Sequence, residues 1–171
     1  QESVPSQENT IETIHIKAFG EKKGPEIAEL VRALFNDPSA CPVLSLMARE
    51  NETPMGHILF TRVGIIGGNE KAKASILAPL AVRPEFQKTG VGGLLIDQGL
   101  ARLKQAGVDL VFVLGHPSYY PRHGFVPAGA LGFDAPYPIP EEHAGAWMVR
   151  ELKPGVIGRV KGRVECARAL D

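Results

Sequence analysis

The residues Gln87-Lys88-Thr89-Gly90-Val91-Gly92-Gly93 follow an extended apolar run ending Leu80-Ala81-Val82 and open a helical pattern. A helix leaves its first N–H groups without intrahelical partners and carries partial positive charge at that end. Glycines let this backbone approach a phosphate with no Cβ in the way, and Lys88 adds a full positive charge. The segment therefore reads as an anion cradle, and a phosphate-bearing molecule is the first ligand to consider.

Spacing narrows the choice. A Walker loop places Gly immediately before Lys and then Ser or Thr, whereas Gln87 precedes Lys88-Thr89 and the glycines lie on the other side. A dinucleotide fingerprint started at Gly90 and Gly92 meets Leu95 at its third glycine position, with no acidic residue suitably placed on a following strand end. The nucleotide P-loop is excluded and the Rossmann reading is weak.

The pattern Gln87-x-x-Gly90-x-Gly92 instead resembles the pyrophosphate loop of the GNAT superfamily of N-acetyltransferases. Two flanking segments share the resemblance. Leu80-Ala81-Val82-Arg83-Pro84-Glu85-Phe86 is similar to the family's strand and turn before the loop, and Tyr119-Tyr120-Pro121-Arg122-His123-Gly124-Phe125 to its downstream aromatic-Tyr-x-x-x-Gly-Phe element. The stretches Gly56–Phe60 and Val113–Tyr120 and the Pro-rich tail resemble the YhbS-like branch.

The resemblance implies an acetyl-CoA-dependent N-acetyltransferase acting on a primary amine of a small molecule or peptide. It implies acetyl-CoA as donor substrate, no metal, and a homodimer as the oligomeric state common among relatives. Gln87, Lys88, Thr89, Gly90, Val91, Gly92 and Gly93 would hold the pyrophosphate, Leu80, Ala81 and Val82 the pantetheine arm and the oxyanion, and Tyr119 would pack on the cofactor. Tyr120 matches the family tyrosine that protonates the departing thiolate, a role suited to a phenol that stays protonated at neutral pH. Many relatives carry a base carboxylate on the preceding strand, but Ser75-Ile76-Leu77-Ala78 has none. His116 and His57 are the substitutes considered, because imidazole titrates near neutrality. A non-catalytic acyl-CoA-binding sensor or assembly module shares the loop and is the alternative reading.

Composition agrees with a single N-acetyltransferase domain over residues 1–171, of which 126–171 is the Pro-rich C-terminal part. The chain has 171 residues, 44% of them hydrophobic, enough for one core. Lys plus Arg and Asp plus Glu balance at 19 each, so no electrostatic case exists for general nucleic-acid or anionic-membrane binding. No apolar run reaches membrane-spanning length and no leader pattern opens the chain, so a cytoplasmic location is expected. Cys41 and Cys166 lack partner spacing for a disulfide or metal site, and Cys41 reads as a small buried filler.

The fold class expected is α+β (α/β mixed): a GNAT-like central mixed, mostly antiparallel twisted sheet with a splayed strand pair, flanked by helices. Apolar spacing predicts helices over Ser6–Phe19, from Gly24-Pro25 to Phe35, and over Thr89–Ala106. Strands are expected at Pro42–Glu50, Met55–Ile66, Lys73–Val82, Asp109–Leu114 and Ala146–Glu151, with turns at Asn51–Pro54 and Gly67–Glu70, and an irregular or extended piece over Val156–Cys166. Gln1–Pro5 resembles the end of the family's opening edge strand and the turn after it. Pro79, lacking an N–H, must sit at an edge or a bulge. The resemblance places a bulge there, splaying this strand from Asp109–Gly115 to admit the pantetheine arm.

Overall fold

The computed structural model describes residues 1–68 and 71–170. Helix α1 spans Glu8–Phe35 and α2 spans Val91–Gln105. The strands are β1 (Leu44–Glu50), β2 (Thr53–Ile66), β3 (Ala74–Val82), β4 (Leu110–Leu114), β5 (Val126–Pro127), β6 (Phe133–Asp134), β7 (Trp147–Glu151) and β8 (Gly162–Glu165). They form one mixed sheet in the order β5-β7-β4-β3-β2-β8-β6, and β1 pairs with the edge of β2 opposite β3. Only β3–β4 and β6–β8 are parallel among the named strands; the other pairs are antiparallel. The mixed, mostly antiparallel sheet flanked by helices is the expected class.

Alternation along β1 and β2 sends successive side chains to opposite faces. Leu46, Ile58 and Phe60 meet the apolar side of α2, where Leu95, Ile96, Leu100 and Leu103 are buried. Met47, with Ala81 of β3, faces Ile11, Ile14 and Val31 of α1. The chain's first residues pair along β1: Ser3 N–H donates to Ser45 O at 3.0 Å and Met47 N–H to Gln1 O at 2.8 Å.

Helix α1 is two arms rather than one rod. Gly20 adopts φ 85° and ψ −178°, a conformation that L side chains rarely take, and the helical path resumes directly after it. The second arm thus begins earlier than Gly24-Pro25. Pro25 is the fifth residue of that arm, so the Glu21 carbonyl goes without the i+4 N–H that another residue there would donate.

The β1–β2 hairpin is tighter than expected, with Glu50 opposite Thr53 and only Asn51-Glu52 between. Of the Gly67–Glu70 turn, Asn69 and Glu70 lie outside the described residues. Cys41 is exposed and neither cysteine is in a disulfide; the neighbouring Ala40 takes the interior position. Past Phe125 the chain builds a second core, in which Phe112 stacks on Trp147 and meets Phe133 edge-on, with Val149, Val160 and Val164 around them. The Trp147 indole N–H donates to Phe133 O at 2.9 Å, so the Pro-rich segment is held by a buried polar bond as well as by packing.

Helix α2 lies close to the sheet at Gly99, where a Cβ would fall 2.3 Å from Phe60 Cε2. Gly99→Ala is expected to cost about 1–3 kcal/mol through overpacking. Urea unfolding checks this, and adding Phe60→Leu should recover part of the loss.

Candidate active site

Strand β3 begins between β2 and β4 and ends beside β2 alone. Its pairing with β4 covers Ala74↔Leu110, Ser75↔Val111 and Ile76↔Phe112 and then stops. Its pairing with β2 continues but changes register, because Phe60 faces Leu77 whereas Ile58 faces Leu80. Ala78 and Pro79 therefore stand opposite the single residue Leu59, which is a β-bulge at the proline. Pro79 has no N–H to give to a ladder, and a bulge is where a strand tolerates that. Beyond it, Leu80, Ala81 and Val82 run on with β2 on one side and, among the described residues, no strand on the other. Backbone N–H and C=O groups freed in this way need a partner from water or a ligand.

The chain leaves this strand through a braced corner. The Arg83 N–H donates to Met55 O at 2.8 Å, and its guanidinium donates to Pro54 O at 3.1 Å and to Glu85 at 3.0 Å. The Gln87 side-chain amide donates back to Val82 O at 3.0 Å, and the Thr89 hydroxyl donates to Phe86 O. Lys88 holds φ 63°, a left-handed conformation uncommon outside glycine, and Gly90 follows at φ 91° as the cap of α2. The first helical bond is Leu94 N–H to Gly90 O at 3.0 Å, so the N–H groups of Val91, Gly92 and Gly93 precede the ladder. No acidic residue occupies the first turn of α2 to compete for that positive end.

The segment after β4 closes on this helix end. A Cβ on Gly92 would lie 2.8 Å from the Tyr119 hydroxyl, and one on Gly93 would lie 3.2 Å from His123 Cε1. His123 Nδ1 is 3.1 Å from Asp97 Oδ1 of α2, and the Arg150 guanidinium donates to His123 O at 2.5 Å. Tyr120 turns inward from the same segment. Its ring meets Tyr119 at 5.2 Å and Phe125 at 5.7 Å, both edge-on, and it is buried. Burial, with a smaller contribution from Tyr119, pushes its phenol up to about 12. The N–H groups of Tyr119 and Tyr120 both donate to His116 O, while the His116 residue itself is exposed.

Leu80–Val82, Gln87–Gly93, Tyr119 and Tyr120 are thus gathered around the mouth between β3 and β4, with His116 at its rim. His57 lies elsewhere. It sits on β2 opposite Ala81, wholly buried, on the face turned to α1. Its Nδ1 is 2.8 Å from His15 Nε2, and its Nε2 is 2.7 Å from Ser45 Oγ, which is 2.5 Å from Ser3 Oγ. Sequence reasoning missed His15, Ser45 and Ser3. The available signal was His15 at helical spacing from Ile11 and beside Ile14, a polar residue on an apolar stripe that requires a buried partner.

A sheet that parts at a bulge, with a glycine-flanked helix start tied to the end of the parting strand and a buried phenol on the segment that abuts it, suits an acyl-group transferase working on a long, phosphate-headed donor. Comparison with known proteins agrees. The family model "Acetyltransferase (GNAT) family" matches residues 9–125. The chain is 48% identical over 163 residues to the N-acetyltransferase YjhQ of Escherichia coli K12, covering 95% of this chain and 88% of that one. It is 31% identical to the N-acetyltransferase YhbS of the same strain, over 81% of this chain and 79% of that one. The crystal structure of Escherichia coli YhbS in complex with CoA superposes with a TM-score of 0.88 at 26% identity, covering 99% and 89% of the two chains. A GNAT family acetyltransferase from Brucella melitensis in complex with acetyl-CoA gives 0.77 at 30% identity, covering 100% and 96%. This chain belongs to the GNAT family of N-acetyltransferases.

The buried histidines make stability pH-dependent. Burial pushes His15 from its ordinary 6.5 down to about 4, and burial together with His15 holds His57 well below the ordinary value. Well above pH 6.5 both rings are neutral whether the chain is folded or not. Below it, the unfolded chain takes up protons that the folded core refuses, so stability falls as pH drops towards 4. Unfolding free energy at pH 5 should be lower than at pH 7.5 by about 2 kcal/mol per ring. Denaturant titrations at the two pH values check this, and His15→Leu should reduce the difference.

Proposed function

We propose that this enzyme moves the acetyl group of acetyl-CoA to a primary amine of a small molecule or peptide, by direct attack of the amine nitrogen on the thioester carbon. The parting of β3 from β4 directly ahead of the α2 N-terminus carries this reading, since it leaves peptide-like hydrogen-bonding groups next to an anion site. The N–H groups at Val91–Gly93, with Lys88 beside them, suit a pyrophosphate. Gly92, with no room for a Cβ under the Tyr119 hydroxyl, suits close approach to that group. The edge of Leu80–Val82 suits the amides of the pantetheine arm and the oxyanion that forms as the amine adds.

Tyr120 is the proposed general acid. When the carbon–sulfur bond breaks, the electron pair leaves on sulfur, and a phenol pushed up to about 12 remains protonated and able to donate to it. His116 at the rim and His57 behind Ala81 are the imidazoles available for the amine's proton. The sheet runs unbroken from the N-terminal pairing on β1 to β8, which supports one domain across residues 1–171. A reaction that consumes acetyl-CoA fits the cytoplasm.

Release of CoA measured across a panel of primary amines and peptide N-termini tests the reading: amine-stimulated release is expected, and acetyl-CoA binding with no stimulated release from any of them would remove it. With the best amine, Tyr120→Phe should lower kcat on the order of 10²-fold while acetyl-CoA affinity stays nearly constant. Wild-type turnover in that variant would take Tyr120 out of the reaction.

A further inference from the structure

Gly115 is the first residue after β4, and nothing in its backbone calls for glycine. Its φ lies outside the left-handed range that Gly90, Gly107 and Gly124 occupy, and its N–H donates to Ala146 O at 3.0 Å as that of any residue but proline could. What the position lacks is room. A Cβ there would fall 2.3 Å from Tyr120 Cε2, 2.8 Å from Cδ2 and 3.3 Å from Cζ. The obstacle is the body of an aromatic ring rather than the end of a flexible side chain.

That ring has little freedom to step aside. Tyr119 meets it edge-on at 5.2 Å and Phe125 at 5.7 Å. The N–H groups of Tyr119 and Tyr120 both donate to His116 O, which folds the chain back and lays the ring against the end of β4. Gly124, at φ 83°, ends the turn that carries the ring and delivers Phe125 to the core. The ring is buried, yet its hydroxyl makes no hydrogen bond to the described residues. The enclosed side-chain polar atoms without partners among those residues are His15 Nδ1 and Thr61 Oγ1, and the Tyr120 hydroxyl is not one of them. A fixed ring with an accessible, unpaired O–H is what a proton donor requires. A phenol is rigid from Cβ to Oη, so whatever displaces Cε2 and Cδ2 displaces the hydroxyl with them.

We propose that Gly115 is a positioning residue for the transfer step: its empty Cβ position is the seat of the Tyr120 ring, and that seat sets where the phenol meets the departing sulfur. The proposal rests on the reading of Tyr120 as general acid. As the carbon–sulfur bond breaks, its electron pair stays on sulfur and the Tyr120 proton passes to it; solvent then returns a proton to the phenolate. β4 is one wall of the gap and is paired with β7 along its whole length, so a ring seated at its end is referenced to the strand that bounds the donor. A methyl group at position 115 would overlap the ring by about 1 Å, and misplacement on that scale costs about 10²-fold in rate. The start of α2, Lys88 and the edge of Leu80–Val82 are not among the atoms it would strike.

Gly115→Ala tests the seat in the full chain. With the amine that gives the fastest CoA release, kcat should fall about 10²-fold, while the Kd for CoA from calorimetric titration should change less than about twofold. Adding Tyr120→Phe should lower kcat no further, because no hydroxyl remains to be misplaced, whereas a general disturbance of the site would multiply the two losses. A second cycle needs neither acceptor nor turnover. Gly115→Ala should lower Tm by about 3–10 °C in the wild type but not in Tyr120→Ala, where the ring is gone and alanine at an ordinary φ carries no penalty. That comparison reads the contact through the double variant even where the single one folds poorly. Wild-type kcat in Gly115→Ala would overturn the proposal, as would a loss of CoA affinity that matches the loss of kcat, or equal losses of Tm in the two backgrounds. Wild-type turnover in Tyr120→Phe would instead remove the general-acid reading on which it rests.

Discussion

Strands β3 and β4 are hydrogen-bonded for three residue pairs and then separate, and the rest of the molecule is arranged around that separation. A buried sheet resists such a gap, because each strand loses partners for its backbone polar groups. Here the cause is local. Pro79 cannot donate to a ladder, the bulge it occupies shifts the register of β3 against β2, and the far part of β3 runs on without β4. β4 does not become a lone strand, since β7 pairs with it along its whole length from Leu110 to Leu114. The gap is thus held open from both sides by intact sheet.

Everything needed to use the gap follows from how the chain leaves it. The corner at Arg83–Phe86 is tied to Met55 and Pro54, and Gln87 is tied back to Val82, so the start of α2 has a set position relative to the end of β3. The segment Tyr119–His123 reaches the same helix end from the other strand and abuts Gly92 and Gly93. The start of α2 and the tyrosine segment are therefore referenced to each other by direct contact as well as through the sheet. A donor molecule gripped at its phosphates would present its far end at a defined place, which is what an acyl transfer requires.

Much of this was legible in the sequence because its signals are local. Glycine spacing after an extended run marks a helix start and a proline in a strand marks an edge or a bulge, while the resemblance to the family decides for the bulge and marks Tyr119–Phe125 as the second wall. The features that escaped are those set by contacts distant in the chain. The break in α1 falls at Gly20, whose left-handed conformation leaves no mark on apolar spacing, while the conspicuous Gly24-Pro25 pair lies inside the second arm. The strands β5 and β6 have two residues each, too few for alternation to show. His15 finds its partner 42 residues away, so no window of neighbouring residues reveals why an imidazole sits on an apolar stripe. Cys41 shows the converse: a residue type that is usually buried is exposed, because its neighbour Ala40 fills the space.

Strand β2 is long enough to belong to both halves of the molecule. Its first part pairs with β1 and β3 beside the gap, and its last residues, Gly64–Ile66, pair with β8 in the second core. It works as a shared spine. The parts carried by its far end, the two-residue β6 and the proline-rich stretches around it, can change in length or shape without shifting the register that opens the gap. The geometry of the gap and the shape of the far end are then mechanically separable properties of one sheet, so one could be remodelled while the other is left as it is.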